Sequence, residues 1–241
     1  MSSYLIIGCG HFGKQAVLKL LQKDPHARIT VVDQDRKHLQ KISQLSVETI
    51  VSNGRIFLDQ FFSETGSVDY IVPAVPYHLA FEFILSRLKP LGAKRTEVPL
   101  LKEVPNPMMG KTGDLYTSLA NFLCPEDCPE PTQSCTVTGK RRAKPLFKML
   151  MDLKGPFDPL VIRSQQLGLG VGGFRPEVLR ALAETIKKRK GLNRSFLIST
   201  ACRCHGVISA LSLPLTLPLS PRRRGEMIFG EMKNGIPTAS R

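Results

Sequence analysis

Apolar and polar positions change in blocks along the first ninety residues. Tyr4-Leu5-Ile6-Ile7 is a short, continuous apolar run of the kind that makes a buried strand. Over residues 14–23 the apolar positions Val17, Leu18 and Leu21 recur at helical spacing, and the pattern stops at Asp24-Pro25. Ile29–Val32 is strand-like again, with Asp33 at its carboxyl end. Gln40–Leu45 closes a second short helix and Val47–Val51 reads as a third strand. Phe57–Phe62 reads as a short helix. Val68–Val72 is a fourth strand that runs into Pro73-Ala74-Val75-Pro76, and Tyr77–Leu88 is helical. Strands alternating with helices on this scale predict a parallel, doubly wound sheet in an α/β protein.

Beyond residue 90 the pattern is weaker. Pro99, Pro105 and Pro107 mark a loop over 94–111, with a strand expected at Val98–Leu101. Leu115–Leu123 is a short helix or a strand. Leu160–Ile162 is strand-like and leads into the glycine-rich stretch Leu167–Gly173, which is either an anion nest or a flexible turn. A helix then starts at Pro176, with Glu177 in its first turn and Val178, Leu179, Leu182 and Ile186 as its apolar face. Lys187–Lys190 load its last turn and Gly191 follows as the C′ residue. Phe196–Thr200 is the last predicted strand. After Leu211, Pro214, Pro218 and Pro221 break any helix or strand. This tail is similar to a translated bacterial intergenic repeat. The expected organisation is a binding domain over 3–90, a smaller α/β region over 91–211 and a disordered tail over 212–241.

The turn after the first strand is Gly8-Cys9-Gly10-His11-Phe12-Gly13, a G-x-G-x-x-G, and Asp33 lies 20 residues past Gly13. Strand, glycine loop, helix and acid at that distance form the dinucleotide-binding fingerprint of a Rossmann-type sheet. Gly8 permits a tight turn, Gly10 lets backbone approach a pyrophosphate, and Gly13 lets helix and sheet pack closely. The helix N-terminus offers N–H groups to the phosphates, beside His11 and Phe12. Asp33 can accept both ribose hydroxyls, and its charge repels a 2′-phosphate. NAD is therefore the expected cofactor ahead of NADP, although Arg36 and Lys37 lie nearby. Cys9 is read as a small loop residue. His78, after the fourth strand, is a candidate acid or base, with a structural helix-start histidine as the alternative.

These residues, with Phe12 before the last glycine and Val32-Asp33-Gln34-Asp35 after the second strand, resemble the NAD-binding domains of potassium-transport regulators of the RCK or TrkA-N type. They are also similar to the N-terminal half of saccharopine-dehydrogenase-like proteins, where a proline-containing loop follows the fourth strand. The first resemblance implies a nucleotide-sensing regulator that acts on a partner; the second implies hydride transfer. Both cover about residues 3–90. Ser52-Asn53-Gly54-Arg55 stands where the RCK type has an acid-rich segment.

Five of six cysteines fall in two clusters. Cys124, Cys128 and Cys135 have the spacing C-x3-C-x6-C in a proline-rich loop, and Cys202-Arg203-Cys204-His205 follows the last strand. The two Cys-Pro steps resemble those of ferredoxin-like cluster loops, without the ferredoxin spacing. An iron–sulfur cluster would take Cys124, Cys128, Cys135 and one of Cys202 or Cys204. A zinc site would use the same thiolates or include His205. Buried, unliganded thiols are the plain alternative.

Composition narrows the function classes. The 241 residues are 42% hydrophobic and 22% charged, which excludes wholesale disorder. Lys plus Arg is 34 against 20 acids, a net charge of +14. Much of it sits in Lys140–Lys144, in Lys187–Lys190 and in the tail. With no Trp and four Tyr, base-stacking aromatics are few, so nucleic acid is not the expected partner. No apolar run reaches the ~18 residues of a membrane span. The first residues lack a basic, cleavable leader, and a cytoplasmic protein with reduced thiols is expected. The leading function is an NAD(P)-binding, oxidoreductase-like protein with a cysteine-ligated centre and a small-molecule substrate. The alternative is a non-enzymatic nucleotide sensor with a protein partner, and a homodimer is the candidate assembly.

Overall fold

Ser3–Ile7 (β1) is buried at all five positions, as a strand covered on both faces must be. A computed structural model describes residues 1–64, 66–189 and 195–214. From β1 the chain alternates through α1 (His11–Lys23), β2 (Arg28–Asp33), α2 (Arg36–Gln40), β3 (Glu48–Val51), α3 (Gly54–Ser63), β4 (Tyr70–Pro73) and α4 (Leu79–Leu88). The four strands are parallel in the order β3-β2-β1-β4. This is the doubly wound sheet that the alternation predicts. The order reverses between β1 and β4, the place where such a sheet opens a crevice at its carboxyl edge.

Several boundaries differ from the pattern. The second helix, expected to close over Gln40–Leu45, already ends at Gln40; it starts at Arg36, where the Asp35 side chain accepts from Lys37 N. In α1 the buried face is Gly13, Ala16, Val17 and Leu20, while Leu18 is exposed. In the later helix over Pro176–Lys188, Val178 is likewise exposed and Ala183 is buried. A stripe judged on large side chains misplaces the face by one position when a small residue fills the contact.

The second half builds another sheet. Its elements are β5 (Lys94–Thr96), β6 (Met108–Met109), β7 (Leu115–Ser118), α5 (Leu146–Met151), β8 (Phe157–Arg163), β9 (Gln165–Gly168), β10 (Val171–Gly173), α6 (Pro176–Lys188), β11 (Ser195–Ala201) and β12 (His205–Ser212). The sheet runs β6-β7-β12-β11-β8, with β5 also on β12; β8 and β11 are parallel and the other pairs antiparallel. The strand expected at Val98–Leu101 does not form. Val98 and Leu101 are buried as loop anchors, and the ladder position goes to Lys94–Thr96. Of the two options for Leu115–Leu123, a strand forms, over Leu115–Ser118. Residues 190–194 and 215–241, which include Gly191 and most of the predicted tail, lie outside the described residues.

The two sheets share a core. Leu5, Ile7 and Val32 of the first and Ile162, Phe196, Ile198 and Leu211 of the second point into one cluster around Phe81, Ile84, Leu179 and Ile186 of α4 and α6. Strand alternation sends their neighbours outward. Ile6 and Val31 pack on α1, while Leu197 and Ile208 pack on Leu146 and Leu150 of α5. Helices α4 and α6 thus form a layer between the sheets and fix one against the other. The glycine-rich stretch, expected as an anion nest or a flexible turn, forms the antiparallel hairpin β9–β10, joined to the first sheet by Ile71 and Phe174. Among the described residues no helix is long and apolar enough to cross a membrane.

Candidate functional site

Each glycine of the loop has a separate physical reason. Gly8 has φ +100°, and a Cβ there would run into the Ala74 carbonyl. A Cβ on Gly13 would meet the Gly8 carbonyl, so α1 can seat only with glycine there. Around Gly10 a Cβ would meet nothing within 4 Å, so the loop keeps open space beside its middle glycine. Gly10 is also the N-cap of α1, and no side chain caps that end. The first N–H groups of α1 therefore face the open space with the positive end of the helix dipole.

Asp33 ends β2 beside this loop. Its Oδ2 accepts from Cys9 N at 2.6 Å and lies 3.3 Å from His38 Nδ1, and its Oδ1 accepts from Asp35 N at 2.7 Å. Partial burial pushes its pKa up, but the Asp35 and Cys9 N–H groups and His38 outweigh that and hold the carboxyl below its ordinary value. The acid is thus ionised and braced toward the loop, with lone pairs left for ribose hydroxyls. Cys9 is buried, its thiol pushed up by burial and by Asp33, as befits a packing residue. Asn53 caps α3 by accepting from Arg55 N and Ile56 N, which explains an amide where the RCK type has an acid-rich segment.

A cavity of about 550 Å³ opens beside α1 and β4. One wall is Phe12, Gln15, Ala16 and Lys19 of α1 with Pro73 and Ala74 at the end of β4. The opposite wall is Cys124, Cys128, Cys202, Cys204 and His205, with Thr200. The cysteine loop is fastened across α1. His11 Nε2 lies 2.8 Å from Glu126 Oε1, and Lys19 Nζ donates to the Glu126 carbonyl at 2.7 Å. The β9–β10 hairpin holds the loop from the other side: Gln166 Nε2 and Gly170 N both donate to the Cys128 carbonyl, at 2.7 and 3.2 Å. A hollow of about 610 Å³ at the opposite edge of the first sheet, near Pro25, Arg28 and Glu48, gathers no such set of groups.

Cys202–His205 is the tight turn between β11 and β12, closed by Cys202 N donating to the His205 carbonyl at 2.9 Å. Glu130 anchors it, accepting from Arg203 N at 2.6 Å and pairing with Arg163 at 2.8 Å. Cys202 Sγ accepts from Cys204 N and His205 N at 3.4 and 3.2 Å, yet burial still pushes its thiol up. Burial also raises Cys204 to about 11, even with Arg142 on its sulfur, and raises Cys124. Cys135 is different. The Thr138 hydroxyl and N–H bring it down to about 7, but it does not line the cavity. The predicted ligand set is therefore only partly gathered. Cys124, Cys128, Cys202, Cys204 and His205 share one cavity; Cys135 does not line it, although it is near enough to act electrostatically on Cys124. Among the described residues no three His, Cys, Asp or Glu side chains form a group that could hold a metal ion.

His78 is buried at the N-cap of α4 and bonds to Ser209 and Thr200. It does not line the cavity itself. No spacing in the sequence connects Glu126, Glu130, Gln166 and Thr200; only Glu126 and Glu130 lie inside the cysteine motif.

Comparison with known proteins follows the same division. Residues 4–56 match the TrkA-N domain. Residues 80–214 match a family model described as "Uncharacterized protein, C-terminal domain". An "Uncharacterized protein" of Archaeoglobus fulgidus is 30% identical over 219 residues, covering 86% of this chain and 98% of its own length. No solved structure matches the chain.

Proposed function

The chain belongs to the family defined by that C-terminal domain, here preceded by a TrkA-N domain, and on that premise we propose that it is an NAD-binding sensor whose second region reads the bound nucleotide. The observation that carries this reading is the glycine loop: two glycines that exclude any side chain, and between them one with open space at an uncapped helix end. The residues fit the group. The first turn of α1 takes the pyrophosphate, and Asp33 takes the adenosine ribose. The charge of Asp33 disfavours a 2′-phosphate, so NAD is preferred to NADP. The distal half of the dinucleotide crosses the switch between β1 and β4 and meets the cavity beside Phe12 and Ala74. Because the cysteine loop is tied to α1 through His11 and Lys19, occupancy of the helix end alters the seat of that loop. A partner protein that contacts the loop would then respond to NAD.

In this reading residues 3–90 are the binding domain and 91–211 the reading region, in a cytoplasmic protein whose thiols stay reduced. A homodimer is one assembly in which the loop would meet a partner. A second reading keeps the oxidoreductase with zinc or an iron–sulfur centre, favoured by four thiols facing one cavity. NAD would there supply a hydride-accepting ring. That reading requires at least three ligands to close on one centre, and metal and sulfide analysis of anaerobically prepared protein tests it.

Calorimetric titration with NADH, NADPH and the Gly10→Val variant tests the first reading. Valine fills the open space, a clash of about 1–3 kcal/mol and so roughly tenfold or more in affinity, without touching the fold. Wild type should bind NADH ahead of NADPH and the variant should lose it at an unchanged melting temperature. Equal affinity in the two proteins would overturn the assignment.

A further inference from the structure

A chain of buried hydrogen bonds runs from Asp114 to the cavity, and each link fixes the direction of the next. Asp114 is fully buried, with Arg95 Nη1 at 2.8 Å from its Oδ1. Burial pushes this carboxyl up, but Arg95 and the Ser209 and Thr112 hydroxyls hold it below its ordinary value. An ionised carboxylate only accepts. Ser209 Oγ, 2.5 Å from Asp114 Oδ1, is therefore the donor there. Its single proton is then used, so its oxygen accepts from His78 Nδ1 at 2.8 Å. Burial keeps His78 neutral, with a pKa of about 3. A neutral imidazole protonated on Nδ1 has a bare Nε2. Thr200 Oγ1, 2.8 Å from Nε2, must donate to it.

Thr200 lies on the cavity wall. A free threonine hydroxyl rotates to donate or accept as its neighbour requires. This one has its proton committed inward and offers only lone pairs outward. We propose that Thr200 selects the cavity ligand as a hydrogen-bond donor, and that on a bound dinucleotide the group selected is the carboxamide NH2 of the nicotinamide ring. The inference rests on the dinucleotide reading above and adds which end of the ligand the second region recognises. His78, Ser209 and Asp114 are positioning residues: they touch no ligand and fix the direction of the Thr200 hydroxyl. They come from the N-cap of α4, from β12 and from the turn before β7, so the device exists only when α4 is packed on the second sheet.

The test titrates three probes into wild type, Thr200→Val and Thr200→Ser. The probes are NAD, its 3-acetylpyridine analogue, in which a methyl ketone replaces the carboxamide and removes both donors, and ADP-ribose, which lacks the ring. Wild type should prefer NAD over the analogue by about three- to tenfold, the range of one neutral hydrogen bond. Thr200→Val, similar in shape and equally suited to a strand, should bind the two alike, and Thr200→Ser should restore the preference. ADP-ribose should bind all three proteins equally, which also reports that they are folded. An unchanged preference in Thr200→Val, or none in wild type, overturns the proposal while ADP-ribose still binds. Failure of ADP-ribose to bind wild type overturns the dinucleotide reading, and this proposal with it.

Discussion

In the first sheet every group of the proposed nucleotide site lies within a strand or a turn of its neighbour: Gly8 and Gly10 on one loop, Gly13 in the first turn of α1, and Asp33 at the end of the adjoining strand. In the second half of the chain the cavity wall is assembled from distant residues. Gln166 holds Cys128 from 38 residues away, and Thr200 of that wall meets His78 across 122. The contrast follows from what each site must do. A pyrophosphate is bound mainly by backbone, so its site is local and leaves glycines at fixed offsets. A cavity wall is bound by side chains, and any strand end that reaches the edge can supply one.

The largest expected effect sharpens this contrast. Arg95 neutralises the fully buried Asp114 and pairs with Glu82 at 2.6 Å. Arg95→Ala leaves a buried charge without its partner, which costs about 3–5 kcal/mol. Chemical denaturation should show that loss. A variant as stable as wild type would mean that the polar chain between α4 and the second sheet is dispensable.

Acid should act on the same chain. The unfolded histidine titrates near 6.5, and in the folded protein His78 is held down to about 3. Between those values the unfolded state binds the extra proton, so stability present above pH 6.5 is lost as the pH falls. The slope is up to about 1.4 kcal/mol per pH unit. Thermal melts between pH 7 and 4.5 should show this decline. His78→Gln should flatten it, although His205, also lowered by burial, contributes in the same window. An equally steep decline in His78→Gln would assign the effect elsewhere.

A smaller effect is expected at Asp33. Removing a charged acceptor costs about 1.5–3 kcal/mol, or roughly ten- to a hundredfold in NAD affinity. Asp33→Ala also frees the Cys9 and Asp35 N–H groups. The more informative result is therefore the ratio: NADPH should gain on NADH in the variant. A wild type that already prefers NADPH would reverse the cofactor assignment.

Much of the first region was legible because its rules are local. The pattern located the four parallel strands, and the glycine offsets with Asp33 located the loop. Errors there were errors of end and face, as when α2 ended at Gln40 or Leu18 turned outward. In the second region the cysteines drew attention to a loop that does reach the cavity. Sequence could not reveal that Gly170 presses against the Glu126 carbonyl, or that Cys135 turns away to bond Thr138. Thr200 was invisible for a similar reason. A threonine near the end of a strand has no local mark, and its role arises only from a histidine on another layer.

The central claim is that the glycine loop and the cysteine wall are two sides of one ligand site. Alkylation by iodoacetamide, followed by mass spectrometry with and without saturating NAD, tests it most directly. NAD should slow modification of Cys124 and Cys128, which line the cavity, and leave Cys135, which does not, at its own rate. In Gly10→Val the protection should disappear. Modification of Cys124 and Cys128 at the same rate with NAD bound as without it would contradict the account, and would make the cysteine wall a separate surface.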